Sequence, residues 1–274
     1  MRLDSYLASE YPEHSRSVWQ KFIKQGVVRV NDVPITELKY RVNDSDTISY
    51  VLSSASHNPI DLPIIYEDDN VIVINKPAGI LTHSKGALND EFTVSDFIKL
   101  HSSPNGASDK LNNRYGIVHR LDRATSGVMI SAKNGETLKF LQKQFSGRKV
   151  KKTYLAKVEK APKNNEFIID LPIARNPKKP ATFKVDSKGK SAVTNVKIIE
   201  KNNDGTALLE LKPLTGRTHQ LRVHLSHIGS PIVGDIIYGK DSGKMHLHAN
   251  SLEITLPGGD RKIFKALLPK EFKK

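Results

Sequence analysis

Short apolar segments separated by turn-forming residues recur from Ile64 onward, and this pattern constrains the fold more than any other feature of the sequence. It predicts a pair of strands within 64–76 and further strands at 116–122, 127–133, 151–159, 191–200 and 206–214. Helices are predicted at 134–147 and at 218–229, the second ending at Gly229. Because strands dominate and helices do not alternate regularly with them, we predict an α+β domain built on a mixed sheet.

The first 61 residues differ from the rest in charge and in pattern. They carry a net charge of −1, whereas residues 62–274 carry +15. Two short helices are predicted, the second starting at Ser15 and stopping at Gly26, and short strands and a polar stretch follow. We therefore predict a small domain of mixed α and β structure at 1–51, a linker at 52–61 and the larger domain at 62–274.

Overall composition narrows the class of partner. The 274 residues carry a net charge of +14 and have a pI near 9.7, which favours polyanions and above all nucleic acid. The chain has no cysteine, which excludes a disulfide framework, a thiolate metal site and a cysteine nucleophile and fits a reducing compartment. No apolar run approaches the roughly 18 residues that a membrane span needs. We expect a cytoplasmic protein with no membrane partner.

The densest polar cluster is GIVHRLDRATSG at residues 116–127, where a predicted strand runs directly into polar side chains. A strand end that presents such a set is a candidate catalytic site. A structural interpretation is equally open, with Asp122 paired to Arg120 or Arg123 and the loop hydroxyls making turn hydrogen bonds. Composition does not decide between the two interpretations.

A second cluster, PLTGRTHQLRVHLSH, covers residues 213–227. Helical spacing predicts that His219 and Arg222 share one face, with Arg217 near the start of the helix. A solvated basic helix is one interpretation, and an anion-binding arginine beside a helix start is the other. Both favour an acidic partner.

Two other motifs have the spacing of cofactor or metal sites but lack residues that such sites need. GDIIYGKD at 234–241 has the spacing of a phosphate-binding loop, but Asp241 stands where a Ser or Thr is needed and would repel phosphates. The histidine pairs 224/227 and 246/248 have metal-compatible spacing but no evident third ligand. We predict structural or RNA-contacting histidines and no metal site.

The stretch 146–190 is strongly basic. It contains 13 Lys and Arg against 4 Asp and Glu, interleaved with Tyr154, Phe167 and Phe183. Since this charge coincides with predicted strands, a groove that follows phosphates and stacks bases is favoured over a solvated surface.

Five blocks together resemble the RluA family of RNA pseudouridine synthases, the ribosomal large-subunit type. HRLDRATSG at 119–127 is similar to the HRLDxxTSG signature of that family, with Ala124 where members often carry an acidic residue. The other blocks follow in family order: NKPAG at 75–79, KTYLA at 152–156, LTGRTHQLRVHL at 214–225 and GDIIYG at 234–239. Residues 1–60 resemble the small RNA-binding domain named after small-subunit ribosomal protein four.

The resemblance implies a role for each matching residue. Asp122 matches the essential aspartate, which acts at either the ribose anomeric carbon or carbon six of uracil. Tyr154 matches the tyrosine that stacks on the target base, and Arg222 matches the arginine that pairs with the aspartate. Arg120 matches a residue that fills the space left by the flipped uridine. With Arg217 and His219 from the second cluster, these six form the expected site: Asp122, Tyr154 and Arg222 catalytic, and Arg120, Arg217 and His219 substrate-binding.

The resemblance implies a two-domain isomerase that converts uridine to pseudouridine in structured RNA without a metal, nucleotide or redox cofactor. We expect large-subunit rRNA as substrate, with tRNA the second candidate, and a monomeric enzyme. The alternative is a non-catalytic RNA-binding or ribosome-assembly protein on the same fold. The intact set of Asp122, Tyr154 and Arg222 speaks against that alternative.

Overall fold

The computed structural model describes residues 1–50, 59–84, 91–102 and 115–273. Its contacts divide the chain into two units, one comprising Met1–Asn58 with Ser84–Glu91 and the other Pro59–His83 with Phe92–Lys274. Most of the predicted linker at 52–61 lies outside the described residues. The linker and the domain limits at 51 and 62 therefore stay predictions.

The first unit packs two helices on a small antiparallel sheet. Its elements are α1 (Leu3–Glu10), α2 (Arg16–Lys24), β1 (Val28–Val30), β2 (Val33–Pro34) and β3 (Ile48–Tyr50), with strand order β2-β1-β3. The apolar face of α2 buries Trp19, Phe22 and Ile23. Asn31 and Asp32 have φ of 50° and 66°, the left-handed conformation that a two-residue hairpin turn requires. Both helices and these strands confirm the prediction.

Among the described residues, the second unit is built on a nine-stranded mixed sheet, and two further strands, Ile173–Arg175 and Phe183–Val185, form a separate small antiparallel sheet. Its first half contains β4 (Ile64–Glu67), β5 (Val71–Lys76), α3 (Val94–His101), β6 (Ser126–Ala132), α4 (Gly135–Ser146) and β7 (Lys151–Val158). Its second half contains β8 (Glu166–Asp170), β9 (Ile173–Arg175), β10 (Phe183–Val185), β11 (Val193–Lys201), β12 (Ala207–Pro213), α5 (Gln220–His227), β13 (Leu247–Thr255), β14 (Arg261–Lys265) and a 3₁₀ turn (Lys270–Lys273).

Strand order in the main sheet is β4-β5-β6-β13-β7-β12-β11-β8, with β14 paired to β13. Only the β6–β13 pair is parallel among the described strands, and it consists of two residue pairs, Ser126 with His248 and Gly127 with Ala249. The two larger hydrophobic clusters of the unit meet near Tyr154, which packs against both. The α+β class and the mixed sheet confirm the prediction.

The strand predicted at 116–122 is wrong. This segment makes one isolated bridge, from Ile117 to Ser131, and otherwise runs as irregular chain. The imidazole of His119 takes the place of a backbone acceptor here, because the N–H of Ile130 donates to Nε2 of His119 at 3.1 Å. Asp122 therefore lies in a loop before β6 and not at the end of a strand.

The helix predicted from residue 218 begins later, at Gln220. The side chain of Gln220 accepts hydrogen bonds from Thr215 Oγ1 and the N–H of Arg217 and so holds the preceding turn. His219 stands at the helix start with φ of 56°, outside the regular helix. His219 therefore does not lie on the helical face predicted for it, although its side chain and that of Arg222 both reach Asp122.

Candidate active site

A cavity of about 480 Å³ opens in the second unit, beside β7 and the N-terminal end of α5. The loop before β6 and the segment between β12 and α5 complete its wall. All six residues predicted for the site line it: Arg120, Asp122, Tyr154, Arg217, His219 and Arg222. The structure thus brings together residues that are up to 102 positions apart in the chain.

A buried lysine in the NKPAG block organises the loop that carries Asp122. Nζ of Lys76 donates to the carbonyl oxygens of Pro77 at 2.8 Å, Ile80 at 2.9 Å and Arg123 at 3.3 Å. Burial lowers the pKa of Lys76 to about 8, against the opposing charge of Asp122. Its three carbonyl partners include the residue directly after Asp122.

Two further hydrogen bonds hold the chain on either side of Asp122. The N–H of Gly79 donates to the carbonyl of Arg123 at 2.7 Å. Oγ1 of Thr82 donates to the carbonyl of Leu121 at 2.8 Å. Asp122 is therefore flanked by two residues whose backbone is fixed to the segment 77–82.

Arg222 lies between two carboxylates. Its Nε and Nη2 donate to Asp235 as a bidentate pair, each at 2.7 Å, and its Nη1 donates to Oδ2 of Asp122 at 3.2 Å. Burial opposes ionisation of Asp235, but the hydrogen bonds and charge of Arg222 outweigh it and hold the pKa of Asp235 below its ordinary value. Asp235 also accepts hydrogen bonds from the N–H groups of Ile237 and Tyr238. A buried, structural carboxylate thus orients the arginine that reaches Asp122.

The two oxygens of Asp122 have different surroundings. Oδ2 faces Nη1 of Arg222 at 3.2 Å and Nε2 of His219 at 3.7 Å. In the part of the chain that the structure describes, Oδ1 has no hydrogen-bond or ion-pair partner. One oxygen is held and the other is available in the cavity.

Tyr154 lies on β7, paired with Leu211 of β12 and Ala249 of β13. Burial raises the pKa of its phenol, and the negative charge of Asp122 raises it further. The hydroxyl is therefore protonated at neutral pH. Lys152, two residues earlier on the same strand, also lines the cavity, and burial lowers its pKa.

His119 forms another part of the wall. Its ring stacks on Phe145 with centroids 4.7 Å apart and planes tilted by 18°. Burial, together with the charge of Lys152, lowers the pKa of His119 to about 3. Since Nε2 accepts the N–H of Ile130, the single proton of this neutral imidazole is on Nδ1.

The remaining predicted residues lie at the rim. Arg120 is exposed, and its Nη1 lies 3.3 Å from Nε2 of His83. Nε of Arg217 donates to the carbonyl of Ser191 at 2.9 Å, which anchors the guanidinium beside the cavity. Both are placed to meet an anion that enters from solvent.

Two family models match the chain. Residues 70–227 match the family described as RNA pseudouridylate synthase, and residues 1–48 match the S4 domain. The chain belongs to the RNA pseudouridylate synthase family. The match covers four of the five sequence blocks and all six residues predicted for the site, whereas Asp235 lies in the fifth block, beyond the matched residues. The resemblance to pseudouridine synthases and the isomerase class are thereby confirmed.

Individual relatives are similar over most of their length. An uncharacterized RNA pseudouridine synthase of Aquifex aeolicus is 36% identical over 89% of this chain and 78% of its own. Ribosomal large subunit pseudouridine synthase D of Borreliella burgdorferi is 37% identical over 99% of this chain and 87% of its own. Among solved structures, human RNA pseudouridylate synthase domain containing 1 has a TM-score of 0.61 and 28% identity, covering 76% of this chain and 84% of that one.

Several site residues had no predicted role. Asp235 and Tyr238 belong to the GDIIYG block and Lys76 to the NKPAG block, so membership of a block was the signal available for them. Thr82 lies outside every block, and no sequence signal distinguished it. What these residues share is a contact with the Asp122 loop or with Arg222, which only the fold brings about.

The histidine pairs outside the cavity have different surroundings. His224 is buried, with Nδ1 3.0 Å from Oγ1 of Thr194 and Nε2 2.9 Å from the carbonyl of Leu171. Nδ1 of His248 lies 2.8 Å from Oγ of Ser126. Both contacts support the structural interpretation. Across the described residues, no group of three or more His, Asp or Glu side chains could hold a metal ion, and no helix is long and apolar enough to cross a membrane.

Proposed function

We propose that this isomerase converts uridine to pseudouridine in structured RNA of the large ribosomal subunit, with Asp122 as the catalytic carboxylate and Tyr154 and Arg222 as its partners. The observation that carries the proposal is the carboxylate of Asp122 in the cavity, with one oxygen bound by Arg222 and the other without a partner among the described residues. The reaction breaks the bond between C1′ and N1 and forms one between C1′ and C5. The proton lost from C5 is balanced by one gained at N1, so no co-reactant is consumed.

Orientation is the contribution expected of the protein. Attack at C1′ of the ribose or at C6 of the uracil requires a carboxylate oxygen aimed at one atom. The bond from Arg222 to Oδ2 and the fixed backbone on both sides of Asp122 support such an aim for Oδ1. Asp235 contributes indirectly, because it takes two of the three guanidinium nitrogens and leaves Nη1 for Asp122.

Tyr154 is proposed to stack on the target uracil. Its ring lines the cavity that also contains Asp122, and extrusion of a stacked base needs a compensating contact of this kind. Because burial raises the pKa of its phenol, Tyr154 enters the reaction as a hydrogen-bond donor and a stacking surface, not as a ready base. Arg120 at the rim is proposed to fill the space that the flipped nucleotide leaves.

Ribosomal RNA is the proposed substrate for two reasons. The S4 match and the net charge of +15 over residues 62–274 support a large folded RNA held through its phosphates. The relatives from Borreliella burgdorferi and Xanthomonas campestris are named ribosomal large subunit pseudouridine synthase D. A map of the pseudouridines lost when this gene is deleted tests the substrate, and losses confined to tRNA would contradict it.

Asp122→Asn tests the catalytic assignment, because it keeps the size of the side chain and removes the charge. Release of tritium from RNA labelled at C5 of uracil should fall by roughly 10⁴ or more, with RNA affinity unchanged. Asp260→Asn, an exposed aspartate in the turn before β14, is the matched control and should react like the wild type. Substantial turnover by Asp122→Asn would contradict the assignment, and RNA binding by the wild type without isomerisation of any RNA would favour the non-catalytic alternative.

A further inference from the structure

His219 has a conformation and a set of contacts that binding RNA does not require. It stands in the left-handed region, with φ of 56° and ψ of 18°, which is uncommon for a residue other than glycine. Its ring lies edge-on between two aromatic rings, with centroids 5.6 Å from Phe183 and 5.5 Å from Tyr238. The imidazole is therefore held in one orientation within the cavity wall.

Both ring nitrogens of His219 face polar atoms. Nδ1 lies 2.8 Å from the hydroxyl of Tyr238, and Nε2 lies 3.7 Å from Oδ2 of Asp122. Burial lowers the pKa of His219, with Arg222 and Arg120 acting in the same direction and Asp122 and Asp235 against it. The imidazole is thus neutral at neutral pH and has a single N–H.

The hydrogen bonds around Tyr238 and His219 indicate which ring nitrogen carries that proton. The N–H of Phe183 donates to the hydroxyl oxygen of Tyr238 at 2.8 Å, so the hydroxyl already accepts one bond. If Tyr238 donates to Nδ1, the hydroxyl proton has an acceptor and Nε2–H faces the carboxylate of Asp122. In the other tautomer the Tyr238 proton has no acceptor within the described residues, and a nitrogen lone pair faces a carboxylate oxygen.

We propose that Tyr238 fixes His219 in the Nε2–H tautomer, so that His219 is a positioning residue that holds Oδ2 of Asp122 together with Arg222. The separation of 3.7 Å is longer than a hydrogen bond, and the proposal requires it to shorten when substrate is bound. The proposal rests on the proposed function, because it takes Asp122 as the reacting group. It replaces the expected contact of His219 with substrate by a contact with the catalytic carboxylate.

The tautomer can be measured without any activity. In protein labelled with ¹⁵N-histidine, the ring nitrogens of His219, assigned by their loss in His219→Asn, should show a protonated Nε2 and an unprotonated Nδ1. Tyr238→Phe should shift the pair toward a mixture of tautomers. A proton on Nδ1 in the wild type would overturn the proposal even if Asp122 is the catalytic residue. Conversely, an active Asp122→Asn variant would remove the proposed function and leave the tautomer assignment intact.

Kinetics test the positioning role. With saturating RNA, Tyr238→Phe should lower the single-turnover rate roughly tenfold to thirtyfold while the RNA Kd stays unchanged. Tyr66→Phe, which also removes a hydroxyl bonded in the fold, is the matched control because Tyr66 lies outside the cavity lining. It should keep the wild-type rate.

A double-mutant cycle separates action through His219 from a general effect of Tyr238. If the hydroxyl acts through the imidazole, adding Tyr238→Phe to His219→Ala should cause no further loss of rate. Additive losses would overturn the proposal. So would a loss of RNA affinity with the rate at saturation unchanged, since that result would assign His219 to substrate.

Discussion

Arg222 binds two carboxylates, and its bidentate pairing with Asp235 explains how Oδ1 of Asp122 can be without a partner in the described part of the chain. The side chain of Asp235 is fully buried and that of Asp122 is 19% exposed. A guanidinium that bound Asp122 through both its forked nitrogens would cover both carboxylate oxygens. Because Asp235 occupies that fork, Asp122 receives one N–H on Oδ2. The buried pair of Arg222 and Asp235 therefore sets the geometry of the partly buried pair of Arg222 and Asp122.

Asp235→Asn should expose this dependence. The substitution leaves the buried Arg222 without its bidentate partner, so we expect the free energy of unfolding to fall by about 3–5 kcal/mol, measured by urea denaturation. Turnover at saturating RNA should also fall, since the guanidinium loses its orientation toward Asp122. Asp241→Asn is the control, because that exposed aspartate makes only a weak turn contact, and a comparable loss there would contradict the argument.

The same pair predicts a dependence of stability on pH. The pKa of Asp235 is lower in the folded protein than in the unfolded chain, so its ionised form favours folding. This contribution is fully present above the unfolded pKa and is lost as the pH falls through the folded pKa. The wild type should therefore lose stability in acid below about pH 4. Asp235→Asn should lack this part of the loss. The same decrease in the free energy of unfolding at acid pH in both proteins would contradict the assignment.

Tyr154 allows the ring and the hydroxyl to be separated. Tyr154→Phe should keep RNA affinity and lose most turnover, because the ring can still stack and the donor is gone. Tyr154→Ala should also weaken RNA binding, by roughly 1–3 kcal/mol for the lost stacking. Filter binding and tritium release measure the two effects. If both variants turn over like the wild type, Tyr154 is only a packed strand residue.

At the scale of elements, the join between β6 and β13 is the narrow point of the main sheet. It is parallel and two residue pairs long, while the neighbouring antiparallel pairs β5–β6 and β13–β7 each have six. Gly127, in the signature block, has φ of 119°, and a Cβ there would collide with the backbone of Ala249. The glycine is needed for the close approach of β13 to β6, the strand that follows the loop of Asp122.

Gly127→Ala should therefore be strongly destabilising, by roughly 3 kcal/mol or more in urea unfolding. Gly258→Ala is the matched control, since Gly258 also has a positive φ, of 99°, but nothing lies within 4 Å of the added Cβ. It should cost only the backbone strain, about 1–2 kcal/mol. Equal losses of unfolding free energy in the two variants would show that the positive φ, and not the close approach of the strands, accounts for the destabilisation.

At the scale of the molecule, we expect attraction to RNA charge and recognition of RNA shape to be divided between the two parts of the chain. Residues 62–274 carry +15, and the residues before them carry −1. Attraction to phosphates and its dependence on salt therefore belong to the catalytic part. Shape recognition is the role that remains for the S4 match at residues 1–48.

A chain that begins at Leu62 tests this division. It should retain most of the slope of RNA affinity against salt concentration, because it still carries the net charge of +15. On structured RNA it should need much more substrate or lose its choice of site, while simple RNA is still isomerised. Affinity across a salt series for both chains is the measurement. A flattened slope with site choice intact would reverse the two roles.

Local patterns predicted elements well where side-chain spacing alone determines them. The amphipathic run with Asn134 at its start became α4, whose first turn Asn134 caps through the N–H of Thr137. The helix α3 was not predicted, although Thr93 and Asp96 form a capping box at its start. The segment around His119 failed as a strand because a side chain, not backbone, satisfies Ile130, which no periodicity reveals.

The site was predictable only in part, for a similar reason. Family blocks named Asp122, Tyr154 and Arg222, and the structure brings the three to one cavity. The pairing of Arg222 with Asp235 depends on a loop after α5 folding back on the helix, and a contact of that kind has no signature in the order of residues.

Strand β13 has one more consequence, for synthesis of the protein on the ribosome. It lies between β6 and β7 in the sheet, yet it is made more than ninety residues after β7 starts, at 247–255. Until those residues leave the exit tunnel, the strands that carry Tyr154 and follow Asp122 have no element to join them. The nascent chain thus contains the basic stretch 146–190 well before it can assemble the cavity, whose lining includes Leu247. Chaperones that shield unpaired strand edges would act in that interval, and pauses in translation before residue 247 would lengthen it.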